Sequence, residues 1–155
     1  MDPPCPLCAA GKFTLCQKFR TGPLPVGSMI GWNSFTGGSW APYFVAHESQ
    51  LYRVPDSIDD EQAILVDPMA GALHAVRKLV PRNDQTVLVL GSGLVGMGVA
   101  ASIRALNSHC RLVAMVRHAG QAEMMRRFGV DETVVAGRGD NQAVRYGRVA
   151  ALVDG

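Results

Sequence analysis

The stretch TVLVLGSGLVG, from Thr86 to Gly96, decides the fold of this 155-residue chain. Its first five residues predict a buried strand, and the apolar residues after the glycines predict a helix that begins at Leu94. Gly91 would permit a tight turn, and Gly93 would let the backbone approach a phosphate closely. Gly96 would let the helix pack against the sheet.

A strand, a glycine turn and a helix N-terminus together predict a pocket for the pyrophosphate of a dinucleotide. The phosphates would meet unpaired N–H groups at the positive end of the helix dipole. The predicted contacts are the residues of the turn and of the first helical turn: Gly91, Ser92, Gly93, Leu94, Val95 and Gly96. The motif is short, and a glycine-rich connection in another parallel α/β fold is the alternative.

The composition is typical of an ordinary globular protein. The chain is 48% hydrophobic and 18% charged, and its length allows one domain or two small ones. A net charge of +2 with scattered basic residues does not indicate nucleic acid as a partner. No apolar run approaches the ~18 residues that span a bilayer, and no signal segment opens the chain. We therefore expect a cytoplasmic protein without a membrane partner, whose four cysteines are reduced thiols or metal ligands.

The sequence changes character near Asp67. Before it, glycine, proline and serine interrupt short runs such as Trp40–Val45, which predict β-strands and loops. After it, strand-like and helix-like segments alternate, which predicts βαβ units and a parallel sheet. The predicted strands are 86–90, 112–116, 133–135 and 149–153, and the predicted helices are 94–106 and 121–128, with Gly129 as the C-cap of the second helix.

Two helices are predicted between these regions. Ser57 followed by Asp60 resembles a capping box, so a short helix is expected to begin there. Asp67 and Pro68 would end it and begin a second helix, with Asp67 as the N-cap and Pro68 at the first helical position.

The cysteines near the N-terminus carry the second chemical signal. Cys5 and Cys8 have the C-x-x-C spacing that grips one tetrahedral zinc, and Cys16 supplies a third thiolate from nearby. Asp2 precedes Cys5 by the same spacing and is a possible fourth ligand. The alternative is a redox pair, although the residues that follow lack a thioredoxin-like pattern. Cys110 is predicted to be a small core residue.

The end of the second predicted strand bears on the choice of cofactor. An NAD-selective site has an acid about 20 residues beyond the glycine motif, where it accepts a hydrogen bond from the ribose 2′-OH. Here Val116 occupies that place, and it is followed by Arg117 and His118. Because valine cannot accept a hydrogen bond and Arg117 offers a planar donor fork, we expect NADP to be preferred over NAD. Alternatively, Arg117 stacks on adenine or points into solvent.

Taken together, the motifs resemble those of the zinc-containing medium-chain alcohol and polyol dehydrogenases, over nearly the whole chain. The segment Gly37–Tyr43 is similar to the family's glycine-glycine-aromatic-alanine stretch before a strand, and Val54–Asp56 and Asp67–Ala75 resemble the connector into its cofactor domain. The family's structural-zinc lobe has the pattern C-x2-C-x2-C-x7-C, and its four slots fall on Asp2, Cys5, Cys8 and Cys16.

The resemblance implies a fold and an activity. It implies an incomplete Rossmann-like parallel sheet in residues 67–155, preceded in residues 1–66 by the C-terminal part of a β-rich GroES-like domain. It implies zinc-assisted transfer of a hydride between an alcohol, polyol or sugar and NAD(P), with a structural zinc in the cysteine lobe. Many members of the family form homo-oligomers. A cysteine where Asp2 stands is usual in the family, so zinc affinity would be lower here.

The resemblance also implies that the chain is a fragment. Family members carry the main ligands of the catalytic zinc, a cysteine and a histidine, well upstream of the structural lobe, so we expect the isolated chain to be inactive. Asp67 alone matches a position close to the catalytic zinc, as a ligand or as a neighbour of one. His74 is expected to be a packed or surface residue. A non-catalytic dinucleotide-binding protein and a zinc-dependent interaction module are the alternative functions.

Overall fold

The computed structural model describes residues 3–18, 38–44, 46, 48, 51–106 and 109–153. The chain divides into two compact units, Met1–Pro55 and Asp56–Gly155. The boundary predicted between residues 66 and 67, at the start of the cofactor domain, stays a prediction. Among the described residues, every helix is too short or too polar to cross a membrane.

The first unit is built from tight turns around the cysteines. Helix α1 (Pro6–Ala9) is a single turn that begins after Cys5, and a 3₁₀ turn follows at Phe13–Leu15. Gly11 joins them with a φ of 75°, a left-handed conformation that favours glycine. Within the predicted strand region 40–45, residues 40–44 form bends and irregular chain instead of a strand, and residue 45 lies outside the described residues.

The second unit alternates strands and helices as predicted. Two helices come first, and three strands alternate with three further helices. In chain order the elements are α2 (Asp60–Ala63), α3 (Val66–Lys78), β1 (Thr86–Leu90), α4 (Leu94–Ala105), β2 (Arg111–Val116), α5 (Ala119–Arg127), β3 (Glu132–Val135) and α6 (Gln142–Val153).

The three strands form one parallel sheet in the order β1-β2-β3. Strand β2 is central and the most buried, because helices and both neighbouring strands cover it. Cys110 is buried within the core, as predicted. The largest fully buried side chains belong to α4, β2 and α5 or lie beside them: Ile103, Cys110, Leu112, Val113, Val116 and Met125. Helix α4 packs closely on α3 through Gly98, where a Cβ would lie 3.0 Å from both Ala72 Cβ and Met69 Sδ.

The caps of α2 and α3 differ from the prediction. Asp59, not Ser57, caps α2, and its Oδ1 accepts a hydrogen bond of 2.8 Å from the Gln62 N–H. The predicted N-cap role of Asp67 is wrong, because α3 begins at Val66 after Leu65. The chain between α2 and α3 stays close to helical geometry, so Asp67 becomes the second residue of α3. Proline after it is tolerated because the first turn of a helix needs no N–H donor at that point.

The capping glycine predicted at the end of α5 is present, one residue after the C-cap Phe128. Gly129 has a φ of 90°, and its N–H donates to the Arg126 carbonyl at 2.9 Å. The Val130 N–H donates to the Met125 carbonyl at 3.2 Å, which completes a Schellman motif.

The fourth strand, predicted at residues 149–153, is wrong, because these residues belong to helix α6. A short apolar run does not by itself distinguish a strand from a buried helical turn. Two polar residues just before α6 favour the helix. Asn141 Oδ1 accepts a hydrogen bond of 3.0 Å from the Val144 N–H at the start of the helix, and Asp140 forms an ion pair with Arg148, which lies one turn after Val144.

Candidate functional site

The glycine turn after β1 has the conformation that the sequence predicts. Gly91 adopts a φ of 110°, and its N–H donates to the Met115 carbonyl of β2 at 3.3 Å. Gly93 is the N-cap of α4 in extended conformation, and no side chain caps the helix there. A Cβ on either glycine would meet no atom within 4 Å, so the space beside the turn is open. The first N–H groups of α4 therefore face that space without an intrahelical partner.

Gly96 is required by the turn itself. A Cβ at this position would collide with the carbonyl oxygen of Gly91 and would lie 3.7 Å from the side chain of Val89. Because the collision is with backbone, any larger residue must displace the turn. Ser92 is buried, whereas Leu94 and Val95 are exposed at the start of α4.

The loop after β2 places two basic residues on the surface. Val116 is buried at the end of the strand, and Arg117 and His118 are exposed. Gln121 holds this loop, since its Oε1 accepts hydrogen bonds from the N–H of Arg117 at 3.1 Å and of His118 at 3.2 Å. Gln121 was not among the predicted site residues, although a Gln three residues after a helix N-cap is a capping-box signal.

The register of the sheet brings these loops to one edge. Leu90 pairs with Met115, and Val116 pairs with Val135, so all three strands end together. Ligands of open α/β sheets bind outside the carboxyl ends of the strands. The structure thus places the glycine turn and Arg117 on the same edge. The Arg117 guanidinium makes no hydrogen bond or ion pair with any residue in the described ranges.

The three cysteines predicted as ligands lie together in the first unit. The sulfurs of Cys5, Cys8 and Cys16 lie within 4.8 Å of one another. Tetrahedral zinc with Zn–S bonds of ~2.3 Å would bring thiolates to about 3.8 Å apart, so a small contraction suffices. All three thiols are free, with no disulfide between them. The sulfur-only donor set fits zinc better than a hard cation such as magnesium.

Backbone hydrogen bonds and neighbouring thiols shift the pKa values of Cys5 and Cys8 in opposite directions. The pKa of Cys5 is lowered to about 6, chiefly because the backbone N–H of Cys8 donates to its sulfur. The pKa of Cys8 is raised to about 11, chiefly by its hydrogen bond with the Cys16 side chain.

The remaining predicted residues lie apart from these two sites or beyond the described ranges. Asp2, the predicted fourth zinc ligand, lies outside the described residues. Asp67 is exposed near the start of α3, and His74 is exposed about two turns further along the same helix. His74, Arg77 and Lys78 line an open cavity of about 420 Å³ on α3.

Comparison with known proteins gives both sequence and structural relatives, although no protein-family model matches the chain. D-xylulose reductase A of Aspergillus oryzae is 28% identical over 124 residues, which make up 80% of this chain and 32% of that protein. The chain therefore spans about a third of the length of the curated relatives it matches.

Solved structures of dehydrogenases also match this chain. A protein from Sinorhizobium meliloti 1021, assigned as a zinc-binding dehydrogenase and bound to NADP, matches with a TM-score of 0.65 and 25% identity over 84% of this chain and 35% of its own. Zinc dependent alcohol dehydrogenase 2 from Streptococcus pneumonia matches with a TM-score of 0.69 over 97% of this chain and 40% of its own. At 21% identity, the second match shows the fold alone. The resemblance and the Rossmann-like α/β fold predicted from the sequence are confirmed.

Proposed function

We propose that this chain, which is similar in sequence and fold to the zinc-type medium-chain alcohol and polyol dehydrogenases, is the part of such an enzyme that binds the NAD(P) pyrophosphate and a structural zinc. The observation that carries the proposal is the turn from β1 through Gly91 to α4. It presents free N–H groups and a helix N-terminus to open space at the carboxyl edge of a parallel sheet.

NADP is the cofactor that the sheet edge favours. The residue at the end of β2 is the buried Val116, so no carboxylate stands there to bind a ribose 2′-OH or to repel a 2′-phosphate. Arg117 is exposed next to it, with a guanidinium suited to bidentate phosphate binding. The proposed preference rests on these two residues, because solved neighbours carry NADP in one case and NADH or NAD in others.

The cysteine cluster would hold a structural zinc. Cys5, Cys8 and Cys16 supply three sulfurs, and the Asp2 carboxylate is our proposed fourth ligand. A four-coordinate site has no open position for substrate, so this zinc would stabilise the lobe and take no part in bond chemistry.

The chemistry of the whole enzyme would be hydride transfer between an alcohol, polyol or sugar and the nicotinamide. A catalytic zinc supplies Lewis acidity that lowers the pKa of a bound alcohol. In this chain, Asp67 is the residue that we propose lies near the catalytic zinc, as a ligand or as a neighbour of one. Asp67 is exposed in the first turn of α3, the helix that packs on α4 through Met69 and Ala72.

Dinucleotide titration of matched glycine variants tests the proposal. Gly96→Ala forces a Cβ against the Gly91 carbonyl and should weaken binding of NADP and NAD by about tenfold or more, as expected when a charge-assisted contact is lost. Gly71→Ala is the control, because a Cβ at that exposed position in α3 meets no atom within 4 Å. Calorimetry would measure both affinities. Equal dinucleotide binding by the two variants would show that the glycine turn does not hold the pyrophosphate.

A further inference from the structure

We propose that Arg138, in the turn after β3, forms with Arg117 a two-arginine site for the 2′-phosphate of NADP. The inference rests on the proposed function, because it adds a second phosphate ligand to the adenosine end of the same cofactor site. Sequence position alone gives no reason to connect these arginines, which lie on different βα units.

The sheet register places the two arginines on neighbouring loops at one edge of the sheet. The Ala136 N–H donates to the Val116 carbonyl at 2.8 Å, so pairing of β2 and β3 continues to the last residue before each loop. Neighbouring strands lie ~4.8 Å apart. Arg117 follows Val116 directly, and Arg138 follows Ala136 by two residues. Both long side chains therefore start from adjacent points on the edge that carries the glycine turn.

The turn that carries Arg138 is held in place by polar contacts. The Gly137 N–H donates to Asp140 Oδ2 at 2.8 Å, and Arg148 pairs with the same carboxylate at 2.6 Å. Arg148 also donates to the Val135 carbonyl. The acid of this turn is therefore already balanced by Arg148, and its charge does not cancel that of Arg138.

Arg138 is itself available for a ligand. It is exposed between Gly137 and Gly139, and its guanidinium makes no hydrogen bond or ion pair with a residue that the structure describes. On the neighbouring loop, Gln121 fixes the backbone from which Arg117 projects. The nearest acid on α5, Glu123, lies 3.6 Å from Arg126. The edge thus offers two unpaired guanidinium groups and no unpaired carboxylate among these neighbours.

This arrangement predicts discrimination between the two dinucleotides. A 2′-phosphate presents several anionic oxygens, which two planar donor forks satisfy better than one. The 2′-OH of NAD carries no charge, so Arg138 would contribute little to NAD binding. Arg138 would therefore act as a specificity residue, whereas the glycine turn serves both cofactors.

The test compares NADP and NAD binding to the full chain and to three variants. Arg138→Gln should weaken NADP binding by about tenfold, the usual scale of one charge-assisted contact, and leave NAD binding unchanged. Arg117→Ala should act in the same direction. Arg127→Gln is the matched control, because Arg127 lies in the last turn of α5, at the far end of that helix from the β2–α5 loop. Circular dichroism would verify that each variant is folded.

Titration of amide NMR spectra with adenosine 2′-monophosphate provides an independent readout, with adenosine 5′-monophosphate as the reference. The 2′ isomer should shift the amide signals of Gly137 and Gly139 more than the 5′ isomer does. An equal loss of NAD and NADP affinity in Arg138→Gln would overturn the inference in favour of stacking on adenine. An unchanged NADP affinity would overturn it outright, with the proposed function intact. Failure of the chain to bind either dinucleotide would overturn both.

Discussion

The two units of the chain depend on different interactions. In the second unit, strand β2 and helices α4 and α5 enclose a core whose central side chains are fully buried, such as Leu112 and Met125. Among the described residues of the first unit, only Cys5 is buried, at 6% exposure. Large side chains such as Trp40 and Tyr43 are exposed there.

The difference shows what each unit needs in order to hold its shape. Burial of apolar surface stabilises the sheet, whereas the turns around Cys5, Cys8 and Cys16 have too little core for that. A lobe of this kind is usually stabilised by disulfides or by a metal, and the three thiols are free and close together. We therefore expect a bound metal to stabilise the turns around the three cysteines and hydrophobic packing to stabilise the sheet.

Zinc removal should have the largest effect and should act on one unit alone. Structural zinc contributes about 10 to 16 kcal/mol of binding energy in zinc-finger peptides, far more than any single contact among the described residues of the lobe. A chelator should collapse the dispersion of amide NMR signals from residues 5–16 and leave those of the parallel sheet in place. Elemental analysis should give one zinc per chain before chelation.

Cysteine variants separate a zinc ligand from a packed thiol. Cys8→Ser should reduce zinc content to near zero, because it removes a sulfur ligand at the centre of the cluster. Cys110→Ala, in the core of the second unit, should retain the zinc although it lowers stability. Retention of zinc by Cys8→Ser, or identical spectra with and without chelator, would contradict a metal-dependent lobe.

A core truncation should act in the opposite unit. Leu112 is 0% exposed at the centre of β2, so Leu112→Ala should lower the free energy of unfolding by about 2 to 5 kcal/mol. Urea denaturation followed by circular dichroism would measure this, and the zinc content should not change. Leu79→Ala, at a side chain 82% exposed, is the control and should cost only a few tenths of a kcal/mol. A similar loss in both variants would contradict a core centred on β2.

The parts of the fold that were predictable are those where local chemistry leaves few choices. Gly91 and Gly129 both adopt a positive φ, which residues with a side chain disfavour. The neighbouring residues predicted Gly91 to form a tight turn and Gly129 to cap a helix. The cysteine cluster was predictable for a related reason. The C-x-x-C spacing places two thiols on one short turn, and this proximity does not depend on how the turn packs against the rest of the chain.

The errors arose where two local solutions have similar energies. Ser57 and Asp59 are both good N-caps, and only the hydrogen bond from the Gln62 N–H to Asp59 selects between them. The apolar run 149–153 suits a strand or a helix, and the contacts of Asn141 and Asp140 decide for the helix. Arg138 could not be identified because its relation to Arg117 depends on the register of β2 and β3, which is a tertiary property.

The smallest predicted loss of stability concerns polar contacts at the opposite edge of the sheet, where β2 and β3 begin. Arg104 donates to the carbonyls of Gly129 and Cys110 and pairs with Asp131, each at 2.8 Å. The same Asp131 oxygen accepts the Leu112 N–H at 2.6 Å, so one arginine joins α4 to both strand starts.

Replacing Arg104 by methionine would keep the aliphatic stem and remove the donors. Because the carbonyls are partly buried, Arg104→Met should lower the free energy of unfolding of the second unit by about 1 to 3 kcal/mol. Arg126→Met is the matched control, since its contacts with Glu123 and Thr133 are exposed and long, and it should cost less than about 0.5 kcal/mol. Urea denaturation compares the two directly. Equal losses would mean that burial around β2 alone sets the stability of the sheet, since the Arg104 contacts would then contribute no more than an exposed ion pair.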